Sequence, residues 1–137
     1  MCGFAGGMWL HSVIPDPVAT GQSMIQRIRH RGPDDSGVWC DDRAGIMLAH
    51  ARLSIVDLSP AGHQPMQSAC GRYVIVFNGE IYNHLNLRQA LGAHVAYRGH
   101  SDTETLLAAF VAWGVEATLQ KLVGMFALAL WDGEQEV

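Results

Sequence analysis

The sequence predicts an α+β fold in which the sheet is largely antiparallel. Strand-type segments and one helix, at 20–31, fill the first half of the chain, further helix-type segments follow from Asn83, and one apolar strand closes the sequence. That order lacks the strand–helix–strand alternation that builds parallel sheets. The composition is that of an ordered domain: 137 residues with 49% hydrophobic and 16% charged side chains, 15 Gly and 5 Pro exclude disorder. A chain of that length buries roughly two-thirds of its unfolded surface and needs no disulfide to stand. No repeat, linker or low-complexity tract divides it, so residues 1–137 read as one domain.

Each element has a local reason. Residues 2–10 are glycine-rich and apolar, which suits a strand whose backbone something approaches closely. Residues 20–31 read as a helix with Met24, Ile25 and Ile28 on one side, stopped by His30-Arg31-Gly32-Pro33-Asp34-Asp35. Two apolar runs, 45–50 and 53–58, read as strands and lead into a Ser59-Pro60-Ala61-Gly62 turn. Residues 73–77 are β-branched or aromatic throughout and form the clearest strand, ending at the hairpin-type pair Asn78-Gly79. Asn83 is placed to cap a short helix carrying Leu85, Leu87 and Leu91. Ser101-Asp102-Thr103-Glu104 is a capping-box pattern ahead of Leu106, Leu107, Phe110, Val111 and Trp113, and Gly114 stops that helix. A short helical segment with Val115, Leu119 and Leu122 reaches Gly124. Residues 125–131 are then apolar at every position, as expected for a strand covered on both faces. Asp132-Gly133 signals a hairpin whose returning strand would lie beyond residue 137, so the domain reads as truncated at its C-terminal end.

Charge and cysteine usage exclude several functions. Nine Lys and Arg against 13 Asp and Glu give a net charge of −4, and the pI is about 5.9. The single lysine is Lys121, and the cluster Arg27, Arg29, His30, Arg31 reads as a solvated helix end. Neither nucleic acid nor an anionic membrane is an expected partner. Cys2, Cys40 and Cys70 are odd in number and lack C-x-x-C spacing, which fits neither a disulfide framework nor a zinc site and points to a reducing compartment with no metal. No apolar run approaches the roughly 18 residues of a membrane span, and no basic segment precedes the first apolar residues. The expected location is cytoplasmic.

The most informative residue is the second. Methionine aminopeptidases remove Met1 when a small side chain follows, which would leave Cys2 holding both a thiol and the free α-amino group. An α-amine of pKa near 7.7–8.0 is a usable proton acceptor for a thiol of roughly pKa 8.5, so an N-terminal cysteine carries its own base. The plainer alternative is a small hydrophobe at the start of a strand. A thiol attacking a carbonyl needs donors for the developing oxyanion, and Asn78 with the Gly79 N–H can supply them, although Asn-Gly is equally an ordinary hairpin turn. Arg52 can clamp a carboxylate with its planar fork, or be a surface arginine. Glu80 and Asp102 can hold an ammonium, or be a post-turn acid and the first residue of a capped helix.

Seven runs occur in order: Met1-Cys2-Gly3-Phe4-Ala5-Gly6, His30-Arg31-Gly32-Pro33-Asp34-Asp35-Ser36-Gly37, Arg52-Leu53-Ser54-Ile55-Val56-Asp57, His63-Gln64-Pro65-Met66, Phe77-Asn78-Gly79-Glu80-Ile81-Tyr82-Asn83, Ser101-Asp102-Thr103-Glu104 and Gly124-Met125-Phe126-Ala127. In that order the whole chain resembles the glutaminase domain of class II glutamine amidotransferases. The runs at Arg52 and His63 are typical of the glutamine-hydrolysing asparagine synthetase branch. The resemblance implies an N-terminal-nucleophile αββα sandwich, two antiparallel sheets between helical layers. It implies that Cys2 attacks the side-chain amide of L-glutamine and forms a glutamyl thioester, while Asn78 and Gly79 build the oxyanion hole. Arg52 would bind the substrate α-carboxylate, the backbone of Leu53, Ile55 and Val56 would line the pocket, and Glu80 with Asp102 would bind the α-ammonium. Ala51 stands where many relatives have an arginine.

Members of the family add a synthetase domain whose Ser-Gly-Gly-x-Asp loop binds ATP and Mg²⁺, and nothing in residues 1–137 resembles that loop. No cofactor is therefore expected on this chain, and its expected partners are L-glutamine, a synthetase domain and, through an unpaired strand edge, a second copy in a homodimer. Two other readings remain open on the residues alone. One is a non-catalytic remnant that binds or regulates, and the other is an N-terminal-cysteine hydrolase of a different amide. The ammonia acceptor is equally open between aspartate and another carboxylate, such as a sugar acid in polysaccharide synthesis.

Overall fold

The computed structural model describes residues 1–9, 14–55 and 59–137. The first sheet holds β1 (Gly3–Met8), β2 (Asp35–Asp41) and β3 (Ile46–Arg52) in the order β1-β3-β2, and both pairings are antiparallel. The second holds β4 (Met66–Gln67), β5 (Tyr73–Ile81) and β6 (Gly124–Asp132) in the order β4-β5-β6, again antiparallel. The helices are α1 (Pro17–Ile28), α2 (His84–Leu91), α3 (Asp102–Trp113) and α4 (Val115–Leu119).

The period-2 alternation of the strands assigns the layers. Met47, Ala49 and Ala51 of β3 face α1 and pack on Ile25. The alternate residues Ile46 and Leu48 point the other way, where with Phe4 and Trp39 they meet Val74, Val76 and Trp131 of the second sheet. The opposite face of β5, carrying Tyr73, Ile75, Phe77 and Ile81, packs on Leu87 of α2 and on Leu106, Leu107 and Phe110 of α3. The stack is therefore helix, sheet, sheet, helix, the αββα sandwich with antiparallel sheets that the resemblance implies. β3 is buried along its whole length because both its faces are covered.

Helix ends follow their capping chemistry. Asp16 accepts the Ala19 N–H at 2.8 Å and Pro17 supplies a pre-set φ, so α1 starts three residues before the expected position. The Ser101 Oγ accepts the Glu104 N–H at 3.2 Å, as the capping pattern predicts. Asn83 does not cap α2 with its side chain. Its amide instead donates to Lys121 O at 2.9 Å and accepts from Val123 N at 3.0 Å, tying α2 to the approach of β6.

Four other expectations change. β2 begins on the last residue of the expected helix stop, Asp35, and runs through residues to which the sequence assigns no element. The run 53–58 is not a strand over its described part: the β2–β3 ladder ends at the Asp35–Arg52 pair, and residues 53–55 leave the sheet, while Val56, Asp57 and Leu58 lie outside the described residues. Asn78-Gly79 is no hairpin turn, because β5 runs through it to Ile81 and pairs with β6 along its whole length. β6 is buried only at Trp131 and Asp132, since it is an edge strand of its sheet with Met125 66% exposed. A turn does follow at residues 133–136.

Candidate functional site

The space between the two sheets changes character along its length. The inward row of β3 reads Ile46, Leu48, His50, Arg52, and that of β5 reads Val74, Val76, Asn78, Glu80. Both rows pass from apolar to polar in the same direction. A cavity of about 170 Å³ lies at the polar end, lined by Cys2, Arg52, Leu53, Ile55, Asn78, Gly79, Glu80 and Asp102 among others. That is below the roughly 300–1,000 Å³ of sites for drug-sized ligands, and fits a small metabolite.

Strand pairing delivers the first two residues. Gly3 of β1 pairs with Ala51 of β3, so Cys2 emerges beside Arg52. The Cys2 Sγ accepts the Leu53 N–H at 3.2 Å and lies 3.5 Å from Leu53 O, while Cys2 O accepts from Arg31 Nε at 3.0 Å. Arg52 is 7% exposed; its Nη1 donates to Ser59 O at 3.0 Å and lies 4.0 Å from an Asp35 oxygen. Gly62 lies so close to the Arg52 guanidinium that a Cβ there would overlap it. Asp35 in turn holds His63, whose Nδ1 is 2.7 Å from the carboxylate.

β5 supplies the middle of the site. The Asn78 side chain makes no hydrogen bond among the described residues and lines the cavity. The Phe77 N–H donates to Gln64 Oε1 at 2.6 Å and the Ile81 N–H to Asp102 Oδ2 at 2.9 Å. Alternation along a strand places the Gly79 N–H on this same edge, between those two anchors. Gly79 has φ 151°, and a Cβ on it would meet the Met125 carbonyl, so glycine is required where β5 passes β6 here. Glu80 is exposed at the rim, whereas Asp102 is buried, its second oxygen accepting the Thr103 N–H at 2.8 Å.

The structure thus gathers Cys2, Arg52, Leu53, Ile55, Asn78, Gly79, Glu80 and Asp102 around one cavity. Val56 falls outside the described residues. The sequence reading gave no role to Gln64, Gly62, Thr103 or Tyr82, which also line the cavity. Gln64 belongs to the His63-Gln64-Pro65-Met66 run, and its burial at 6% exposure is the signal of a polar residue with a task. Among the described residues no group of His, Cys, Asp and Glu is arranged to hold a metal ion.

Residues 1–137 match the glutamine amidotransferase domain as a family. The chain belongs to that family. Among its relatives, asparagine synthetase B [glutamine-hydrolyzing] of Escherichia coli is 47% identical over 109 residues, which is 80% of this chain and 19% of that protein. Asparagine synthetase [glutamine-hydrolyzing] 1 of Bacillus subtilis is 40% identical over 140 residues, covering 100% of this chain and 22% of that protein. A Mycobacterium tuberculosis protein with the provisional name asparagine synthetase [glutamine-hydrolyzing] is 50% identical over 116 residues, or 77% of this chain and 17% of its own. This amidotransferase domain therefore spans about a fifth of the length of these curated relatives. Among the described residues of the domain no helix is long and apolar enough to cross a membrane.

Proposed function

We propose that this amidotransferase domain hydrolyses L-glutamine to glutamate and ammonia through a thioester on Cys2. The observation that carries the reading is the convergence on one cavity of a sulfur nucleophile, an arginine fork, two carboxylates and an unengaged carboxamide. Together these groups match both charged ends of an α-amino acid and the carbonyl of its side-chain amide.

The chemistry follows from these positions. With Met1 removed, the Cys2 α-amino group takes the thiol proton and Sγ adds to the amide carbon of glutamine. The carbonyl oxygen becomes an oxyanion facing the Asn78 amide and the Gly79 N–H. The carbon–nitrogen bond then breaks, the proton passes to the departing ammonia, and water cleaves the thioester to release glutamate. Arg52 holds the α-carboxylate, and Glu80 and Asp102 hold the α-ammonium, while Leu53 and Ile55 line the wall. The ammonia passes to a synthetase partner, a reading supported by the relatives' names, asparagine synthetase [glutamine-hydrolyzing].

The test is a product assay on the purified chain with Met1 removed. Glutamate and ammonia in equal amounts from L-glutamine, with far slower turnover of simple amides lacking the charged ends, supports the proposal. Glutamine binding without glutamate release would overturn it in favour of a binding module.

A further inference from the structure

β4 pairs only with Val74 and Ile75, so among the described residues the edge of β5 beyond Ile75 has no neighbouring strand. Two side chains stand in for one at Phe77. Gln64 Oε1 accepts the Phe77 N–H at 2.6 Å, and His50, reaching across from the first sheet, has its Nε2 3.1 Å from Phe77 O. Gln64 is itself steered by its Nε2, 3.4 Å from Thr103 Oγ1 at the start of α3. The peptide held by His50 is the one that leads into Asn78. Four residues after Phe77, Asp102 fixes Ile81, so on this edge the stretch 78–80 lies between two side-chain anchors, its other edge being paired with β6.

We propose that His50 is a positioning residue that sets the Phe77–Asn78 peptide and thereby the aim of the Asn78 amide and the Gly79 N–H into the cavity. The inference rests on the reading of Asn78 and Gly79 as oxyanion donors. His50 is 0% exposed, and its Nδ1 has no partner among the described residues. Phe77 O only accepts, so Nε2 carries a proton; a second proton on Nδ1 would be buried without an acceptor, which leaves the ring neutral with Nδ1 bare. Polar burial of this kind is costly unless the bond it makes serves something, and a leucine would fill the same inter-sheet space without it.

The decisive experiment measures glutamine hydrolysis by wild type, His50→Leu and His50→Gln, each alone and combined with Asn78→Ala. Gln carries an N–H where His50 has Nε2. His50→Leu should lower kcat by roughly 10- to 100-fold with KM within about threefold, because a misaimed donor loses transition-state contact and not ground-state binding. His50→Gln should recover to within about threefold, and in the Asn78→Ala background the cost of His50→Leu should shrink below about threefold. A full multiplicative cost in that background, or no recovery in His50→Gln, would reduce His50 to a structural residue and overturn the proposal. A wild type that releases no glutamate overturns the proposed function instead. In that case, or if His50→Leu does not fold, ¹⁵N NMR of the wild-type chain decides. A neutral Nε2–H ring hydrogen-bonded to the Phe77 carbonyl supports the positioning role, and an Nδ1–H tautomer contradicts it.

Discussion

The Cys2 sulfur and the Leu53 peptide form a two-way contact, with the Leu53 N–H donating to Sγ at 3.2 Å and the thiol 3.5 Å from Leu53 O. Leu53 is the first residue past the end of the β2–β3 ladder, so its N–H has no strand partner and the sulfur takes that place. The contact fixes the sulfur at the wall of the cavity. Cys2→Ala should therefore reduce glutamine hydrolysis by about 10⁴-fold or more while glutamine binding by calorimetry persists. Residual turnover within tenfold of wild type would place the nucleophile elsewhere.

Asn78→Ala should lower kcat by roughly 10²–10³ with little change in KM, the usual scale for one oxyanion donor. Steady-state kinetics check this. A rise in KM at constant kcat would make Asn78 a binding residue.

Gly62→Ala tests the arginine fork without touching it. The added Cβ overlaps the far end of the Arg52 side chain, which can swing away, so the fold survives while the guanidinium moves. KM for glutamine should rise by about tenfold or more, equivalent to about 1.4 kcal/mol of lost binding, with thermal stability nearly unchanged. An unchanged KM would show that Arg52 does not bind the substrate.

The buried histidine links the site to acid stability. Burial pushes His50 down to about 4 from 6.5, with the hydrogen bond to Phe77 opposing this and Arg52, Asp35 and His63 acting at longer range. The folded state resists a proton that the unfolded chain accepts, so stability is complete above pH 6.5 and falls as the pH drops from 6.5 towards 4. The difference corresponds to a loss of about 3 kcal/mol across that window. Asp132, held below its usual range by Arg72, stabilises the fold at neutral pH and gives up that contribution only at lower pH, as it loses its charge. Urea titrations at a series of pH values should show this slope in wild type and lose it in His50→Gln.

Much of this was legible in the chain. Strands β1, β3, β5 and β6 and the α-helices α1 to α4 have period or capping signals, and Cys2, Arg52, Asn78, Gly79, Glu80 and Asp102 were placed by the resemblance and meet at one cavity. β2 was not legible because Asp34-Asp35-Ser36-Gly37 is turn chemistry, and its pairing to β3 overrides that local preference. Asn78-Gly79 carries a hairpin signature, but the partner strand β6 begins only at Gly124, 45 residues after Gly79, and the glycine serves close approach to Met125 and Phe126. The roles of His50 and Gln64 depend on contacts across 27 and 13 residues, which no local pattern encodes.

The central claim is that Cys2, freed of Met1, is the nucleophile of a glutamine pocket, and intact-protein mass spectrometry with a glutamine-like diazoketone tests it most directly. Loss of Met1 and a single adduct mapped to Cys2, blocked by excess L-glutamine, is the expected result. An adduct on Cys40 or Cys70, or a processed Cys2 that does not react, would contradict it.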